Sequence, residues 1–215
     1  AKISNVLILF SGDTGFYSGS KKLYLAVKNE ISEGKLNADV SILPGISSVS
    51  YMAAAVGETY SDAYICSIHG VKLSNITSRI RHHAKTFMLM SGVKDVNMLG
   101  YLLSSDERYG LQKCSVTVGY QLSYPDETIS QLSPQECTKL KREGLYICMI
   151  KNPNPVAKNV TPQLSDAAFI REKVPMTKEE IRHVSICKLH LKSDSVLYDV
   201  GSGTGSIAME MAALS

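Results

Sequence analysis

Two glycine-rich turns and one histidine are the places in this sequence best suited to chemistry. The first turn, Ser11-Gly12-Asp13-Thr14-Gly15-Phe16-Tyr17, follows an apolar run at residues 6–10. Glycines flanking an Asp let the backbone bend sharply and bring its N–H groups close to a ligand. An ordinary tight turn is the competing reading. The second turn, Asp199-Val200-Gly201-Ser202-Gly203-Thr204-Gly205, also closes an apolar run. Alternate glycines allow a ligand to lie against the backbone at the positive end of the next helix. The spacing is GxGxG, not the GxGxxG of dinucleotide binding. It favours S-adenosylmethionine and leaves an NAD-dependent oxidoreductase as the weaker reading. Neither turn has P-loop spacing. His69 ends a further apolar run at residues 63–68, and His69 and Asp13 are the candidates for proton transfer. A capping or core role for His69 and a bracing role for Asp13 stay open beside that.

These residues need a scaffold, and the hydrophobic pattern supplies one. Short apolar runs at residues 6–10, 38–43, 63–68 and 85–90 read as strands, the first of them buried on both faces. Helical spacing separates them, with Leu23, Val27 and Ile31 on one face of a helix over 21–32, and Val49, Met52, Ala53 and Val56 following a Ser47 or Ser48 cap. Further helices fall near 73–83 and around Val96, Leu99, Leu102 and Leu103. The alternation predicts an α/β protein with a mostly parallel, doubly wound sheet. The loops at Gly12, Gly45, His69 and Met90 would then share the edge where such sheets bind ligands.

From Cys114 the rhythm changes. Strands at 114–120, 127–132 and 146–150, with a short helix over 134–142 capped by Ser133, predict a smaller mixed subdomain beginning near residue 112. Residues 152–165 carry three prolines and read as a linker. Thr177-Lys178-Glu179-Glu180 then fits a capping box, followed by a helix to about Leu191, a strand at 195–200 and a helix over 206–214. That is the opening of a second α/β domain, and about 35 residues bury too little surface to stand as a nucleotide-binding domain by themselves.

Composition narrows the function classes. Hydrophobic residues make up 44% and charged residues 20% of the 215, as in ordinary globular proteins. A net charge of +3 is too small and dispersed to argue for nucleic acid, and no stretch has the ~18 apolar residues of a membrane span. Arg79, Arg81, His82, His83 and Lys85 read as a solvated helix end. The five scattered cysteines have no metal-ligand spacing. Without a signal peptide they point to reduced thiols in the cytoplasm.

The order of motifs carries more than any one of them. Ser11 to Tyr17, Leu43-Pro44-Gly45-Ile46-Ser47-Ser48, Ser67-Ile68-His69-Gly70 and Leu122-Ser123-Tyr124-Pro125-Asp126-Glu127 come first. Phe169-Ile170-Arg171, Val174-Pro175-Met176-Thr177-Lys178-Glu179-Glu180 and Asp199 to Gly205 follow. In that order and spacing the chain resembles the bifunctional precorrin-6Y C5,15-methyltransferases (decarboxylating) of cobalamin synthesis. In that family a tetrapyrrole methylase domain is fused to a Rossmann-type methyltransferase. The resemblance implies S-adenosyl-L-methionine as cofactor, a precorrin as substrate, no metal, a homodimer, and two α/β subdomains with the cofactor cleft between them. It divides the chain into a methylase domain at 1–152, a linker at 153–165 and the start of the second domain at 166–215. It implies cofactor contacts at Gly12, Asp13, Phe16, Ser47, Ser48, Met90 and Leu122. In the second domain they fall at Thr177, Gly201, Ser202, Gly203, Thr204 and Gly205. Lys21, Lys22, Lys72 and Arg79 become candidates for meeting an anionic substrate, or plain surface charges. The family's Gly-Asp-Pro reads Gly-Asp-Thr here. Its first strand with a Gly-x-Gly-Pro-Gly loop is absent, and the second domain stops after its first glycine loop, so the expectation is a chain short at both ends. A fragment that binds cofactor or tetrapyrrole without turning it over is the alternative.

Overall fold

The computed structural model describes residues 5–68, 76–157, 161–170, 173–192 and 195–214. The chain divides into two compact units, Ala1–Val156 and Ala157–Ser215. In chain order the first contains α1 (Ser20–Ser32), α2 (Ser48–Ala55), β1 (Tyr64–Ser67), α3 (Ile76–Arg81), β2 (Lys85–Met90) and α4 (Val93–Ser105). A 3-10 turn (Leu111–Lys113), β3 (Ser115–Tyr120), β4 (Thr128–Leu132), the four-residue α5 (Pro134–Cys137) and β5 (Tyr146–Lys151) complete it. Among the described residues the strands make one five-stranded sheet in the order β1-β2-β5-β3-β4.

Strand β5 is the centre of that sheet. Its register sets Phe87 opposite Met149 on β2, and Val118 opposite Cys148 on β3, both antiparallel. Central strands are covered on both faces and read as continuous apolar runs, which is the pattern of YICMI in β5 and TFMLM in β2. Alternation sends Met88, Met90, Val116, Val118, Cys148 and Ile150 to one face. There they pack with Ile80 of α3, Val96, Leu99 and Leu103 of α4, and Cys137 of α5. Phe87, Ile147 and Met149 face the other way, onto Val49, Met52 and Ala53 of α2. Helices therefore cover both faces, as expected.

The sheet is mixed rather than mostly parallel. Among the described pairs only β1 and β2 run parallel. The reason is β5, which returns between β2 and β3 and so joins the segments on either side of residue 112 in one sheet. The runs at 6–10 and 38–43 are not strands, and Val6, Leu7 and Leu9 are 72%, 78% and 83% exposed. Apolar content gives a propensity, but a strand also needs a neighbour to pair its N–H and C=O groups, and no described strand lies beside either run. The same holds for 195–200 in the second unit, where Val196, Tyr198 and Val200 are exposed. Leu23, Val27 and Ile31 are likewise not buried in α1, whose buried residue is Ser20. The expected helix near 73–83 is described from Ile76 onward. Ser133 does cap α5, in a capping box with Glu136. Asn152 is buried, donating from Nδ2 to the Ile80 and Arg81 carbonyls, and the Val156 N–H reaches the Arg81 carbonyl.

In the second unit, α6 (Glu179–Lys188) and α7 (Ser206–Leu214) are joined by a buried ion pair. Arg182, fully buried, donates from Nε to Glu210 Oε2 at 2.6 Å, and from Nη1 to Asp166 Oδ1 at 3.0 Å and the Thr177 carbonyl at 2.9 Å. Its guanidinium lies 4.7 Å from the Phe169 ring centroid. Glu210 Oε1 also accepts the Leu164 N–H at 2.7 Å and lies 3.1 Å from His183 Nε2. The expected capping box at Thr177 is not formed. Lys178 is the N-cap without a side-chain bond, Thr177 gives its carbonyl to Arg182, and Glu179 and Glu180 face the positive helix end instead. Burial works to raise the Glu210 carboxyl, but the hydrogen bonds from Arg182 and Leu164 outweigh it and hold the pKa below its ordinary 4.5.

Removing one partner of a buried pair leaves a bare charge. Arg182→Met should therefore cost about 3–5 kcal/mol in denaturant unfolding, whereas Arg182→Met with Glu210→Leu should recover most of the loss. Because the folded carboxyl titrates low, its stabilising share is fully present above pH 4.5 and is lost as pH falls through its depressed value. Unfolding followed against pH should show an acid loss that the double variant lacks.

Candidate functional site

The first glycine turn is built by contact between two backbones. Gly12 has φ +76°, in the left-handed region that favours glycine, and Asp13 Oδ1 accepts the Gly15 N–H at 2.8 Å. Thr14 Oγ1 donates to the Leu43 carbonyl at 2.9 Å, tying this turn to the segment before α2. At Gly45 an added Cβ would stand 2.3 Å from the Gly12 carbonyl oxygen, so the two turns meet where only a glycine fits. Ser47 then caps α2, its Oγ accepting the Ser50 N–H at 3.1 Å, and the amino end of α2 is brought beside the first turn.

A cavity of about 510 Å³ opens at this place. One wall is the turn with Gly12, Asp13 and Phe16; another is the start of α2 with Ser47, Ser48 and Tyr51. The sheet supplies Met90 at the end of β2, Gly119 on β3, and Tyr146 and Ile147 at the start of β5, with Leu122 and Ser123 following β3. Gly12, Asp13, Phe16, Ser47, Ser48, Met90 and Leu122, seven positions far apart in sequence, thus surround one space. The lining combines polar residues, Asp13, Ser47 and Ser48, with aromatic and aliphatic ones, a mixture that suits an amphipathic ligand. Asp13 is committed to bracing its own turn. His69 and Lys72 lie outside the described residues. Lys21 and Lys22 are exposed, and Arg79 is engaged with the Tyr64 hydroxyl and ring.

Sequence reading missed Tyr51, Tyr146 and Ile147. Tyr51 carries a signal, since it stands one helical turn after Ser47 and Ser48 on the same face. Nothing local marks Tyr146 and Ile147, which reach the cavity only because β5 inserts between β2 and β3. The Tyr51 hydroxyl donates to Glu127 Oε2 at 2.8 Å, and that bond is the main cause of a phenol pKa raised above 10.0.

The second turn is a separate structure, in the second unit. Gly201, Gly203 and Gly205 have φ of +77°, +55° and +71°. The Gly205 N–H donates to the Ser202 carbonyl at 2.7 Å, and the Gly205 carbonyl accepts from Met209 as α7 begins. Thr204 follows the same turn, and a Cβ at Gly203 would lie 3.4 Å from the Pro175 carbonyl, two residues before Thr177. Among the described residues no cluster of three or more His, Cys, Asp or Glu could hold a metal ion, and no helix is long and apolar enough to cross a membrane.

Comparison with known families decides what the first unit is. The family model for Tetrapyrrole (Corrin/Porphyrin) Methylases matches residues 1–136. The chain belongs to that family. The model for a Precorrin methyltransferase domain matches residues 167–214. A Precorrin-6Y C(5,15)-methyltransferase (decarboxylating) from Sinorhizobium sp is 26% identical over 210 residues, which are 96% of this chain and 48% of that protein. A probable cobalt-precorrin-6B C(15)-methyltransferase (decarboxylating) from Methanocaldococcus jannaschii is 56% identical over 50 residues, 23% of this chain and 27% of that one. Among solved structures, the methyltransferase CobJ superposes with a TM-score of 0.47 at 16% identity, covering 72% of this chain and 64% of that one. The chain spans about half the length of the first of these relatives.

The glycine contact can be tested directly. Gly45→Ala must push the Gly12 turn away, at a cost of about 1–3 kcal/mol for a forced overlap. Urea unfolding should register that loss, while Gly34→Ala, where an added Cβ meets nothing within 4 Å, should register only the strain of its positive φ.

Proposed function

We propose that the first unit binds S-adenosyl-L-methionine in the 510 Å³ cavity and methylates C5 of a precorrin in cobalamin biosynthesis. The second unit is then part of the domain for C15 methylation and decarboxylation. The observation that carries this reading is the convergence of Gly12, Asp13, Phe16, Ser47, Ser48, Met90 and Leu122 on one cavity, within a chain of the tetrapyrrole methylase family. The volume falls within the ~300–1,000 Å³ usual for cofactor-sized sites. The name of the Sinorhizobium relative supports precorrin-6Y as the substrate class.

When bound, the cofactor supplies a methyl group already activated on a sulfonium. What remains for the protein is alignment, because methyl transfer to a ring carbon is an in-line displacement. The Gly12 turn and the amino end of α2 would hold the polar part of such a ligand. Phe16, Met90, Leu122 and Ile147 exclude water from its apolar side. Thr177, Gly201, Ser202, Gly203, Thr204 and Gly205 form the corresponding contacts of the second domain. A homodimer belongs to the same reading by family resemblance. So does the cytoplasm, supported by five free cysteines, of which burial pushes Cys66, Cys114 and Cys137 up to about 11.

Calorimetry with S-adenosylhomocysteine tests the site. The chain should bind with a dissociation constant of about 1–100 μM. Ser48→Trp should fill the first cavity and abolish that component, and Gly203→Val should leave it intact. Binding unchanged by Ser48→Trp would rule the cavity out. Transfer of labelled methyl from S-adenosylmethionine to C5 of a precorrin tests the reaction.

A further inference from the structure

The segment Ser123-Tyr124-Pro125-Asp126-Glu127 stands out in the sequence, yet the reading above gives it no task beyond its neighbour Leu122. It connects β3 to β4, and its path is strained. Gln121 and Ser123 have φ of +48° and +68°, left-handed values that side chains other than glycine rarely adopt unless neighbours enforce them. One atom does much of the enforcing. Glu127 Oε2 accepts the Ser123 N–H at 2.6 Å and the Tyr51 hydroxyl at 2.8 Å. The Tyr124 N–H to the Gln121 carbonyl, and the Glu127 N–H to the Tyr124 carbonyl, complete the turn.

These bonds join two walls of the cavity. Tyr51 belongs to α2, whereas Leu122, Ser123 and Tyr124 belong to the β3–β4 connection, and all four line the cavity. Glu127 is not among the lining residues and acts through the others. Leu122 is pressed onto the sheet, its methyls lying 3.1 and 3.3 Å from where a Cβ on Gly119 would stand. Without Glu127 the Ser123 N–H and the Tyr51 hydroxyl lose their common acceptor, and the strained turn loses its tie to α2.

We propose that Glu127 is a positioning residue, latching residues 121–124 to Tyr51 of α2 and so fixing the width of the ligand cavity. Both bonds end on a single oxygen, so the latch needs an acceptor at that point and not a charge. A carboxamide of the same length supplies one. The identity of the ligand rests on the cofactor reading above; the latch itself does not.

The test uses the whole chain and two readouts. Hydrogen exchange in the ligand-free protein follows the Ser123 amide, and calorimetry follows S-adenosylhomocysteine. Glu127→Ala should speed exchange and weaken binding by about tenfold each, the effect of losing a hydrogen bond to a charged group, while the chain still unfolds in one cooperative transition. Glu127→Gln should restore both to within about threefold of the parent. Tyr51→Phe should weaken binding while Ser123 keeps its acceptor. Parental exchange or parental binding in Glu127→Ala overturns the proposal, and so does a Glu127→Gln variant that behaves like Glu127→Ala. A parent chain that binds no S-adenosylhomocysteine overturns the cofactor reading instead, and the exchange arm then decides the latch.

Discussion

The insertion of β5 between β2 and β3 is the constraint on which the first unit depends. It gives the sheet a central strand whose residues 146–150 are all buried, and it makes that sheet mixed. It also sets the site. An antiparallel β5 begins where β2 and β3 end, so Tyr146 and Ile147 arrive beside Met90 and Gly119. The face carrying Phe87, Ile147 and Met149 seats α2 through Val49, Met52 and Ala53, and the seated helix presents Ser47, Ser48 and Tyr51 to the same space. One pairing choice thus determines both the core and the cavity.

Much of this is legible in the sequence where local signals coincide with their cause. Strand β2 is a short apolar run and β1 lies within another, α2 is announced by Ser47 and its apolar spacing, and Ser133 caps α5 where expected. The cavity residues were implied by the family resemblance, and at Gly12 a local signal with a backbone reason, the close contact with Gly45, stands beside it. What could not be read is long-range pairing. The runs at 6–10, 38–43 and 195–200 have strand composition, but no described strand is present to bond them. Similarly, Thr177 has the residue type of a cap, but the buried guanidinium of Arg182 claims its carbonyl, and Lys178 takes the cap position. A tertiary interaction won over a local one.

The two units use different devices to hold a glycine turn. In the first, backbone meets backbone between Gly12 and Gly45, a contact that depends on absent side chains. In the second, α7, which follows the Gly201 to Gly205 turn, is tied through Glu210 and Arg182 to α6, Asp166 and the Thr177 carbonyl. Close packing tolerates no added atom, and a buried ion pair tolerates no missing partner. Each turn is therefore sensitive to changes outside its own residues.

The central claim is that the first-unit cavity is the cofactor site of a tetrapyrrole methylase. A crystal structure of the chain grown with S-adenosylhomocysteine tests it most directly. The account predicts density for the ligand between the Gly12 turn, Ser48 at the start of α2, and Met90 and Leu122 at the sheet edge. A ligand bound elsewhere in the first unit, with that cavity holding only solvent, would contradict it.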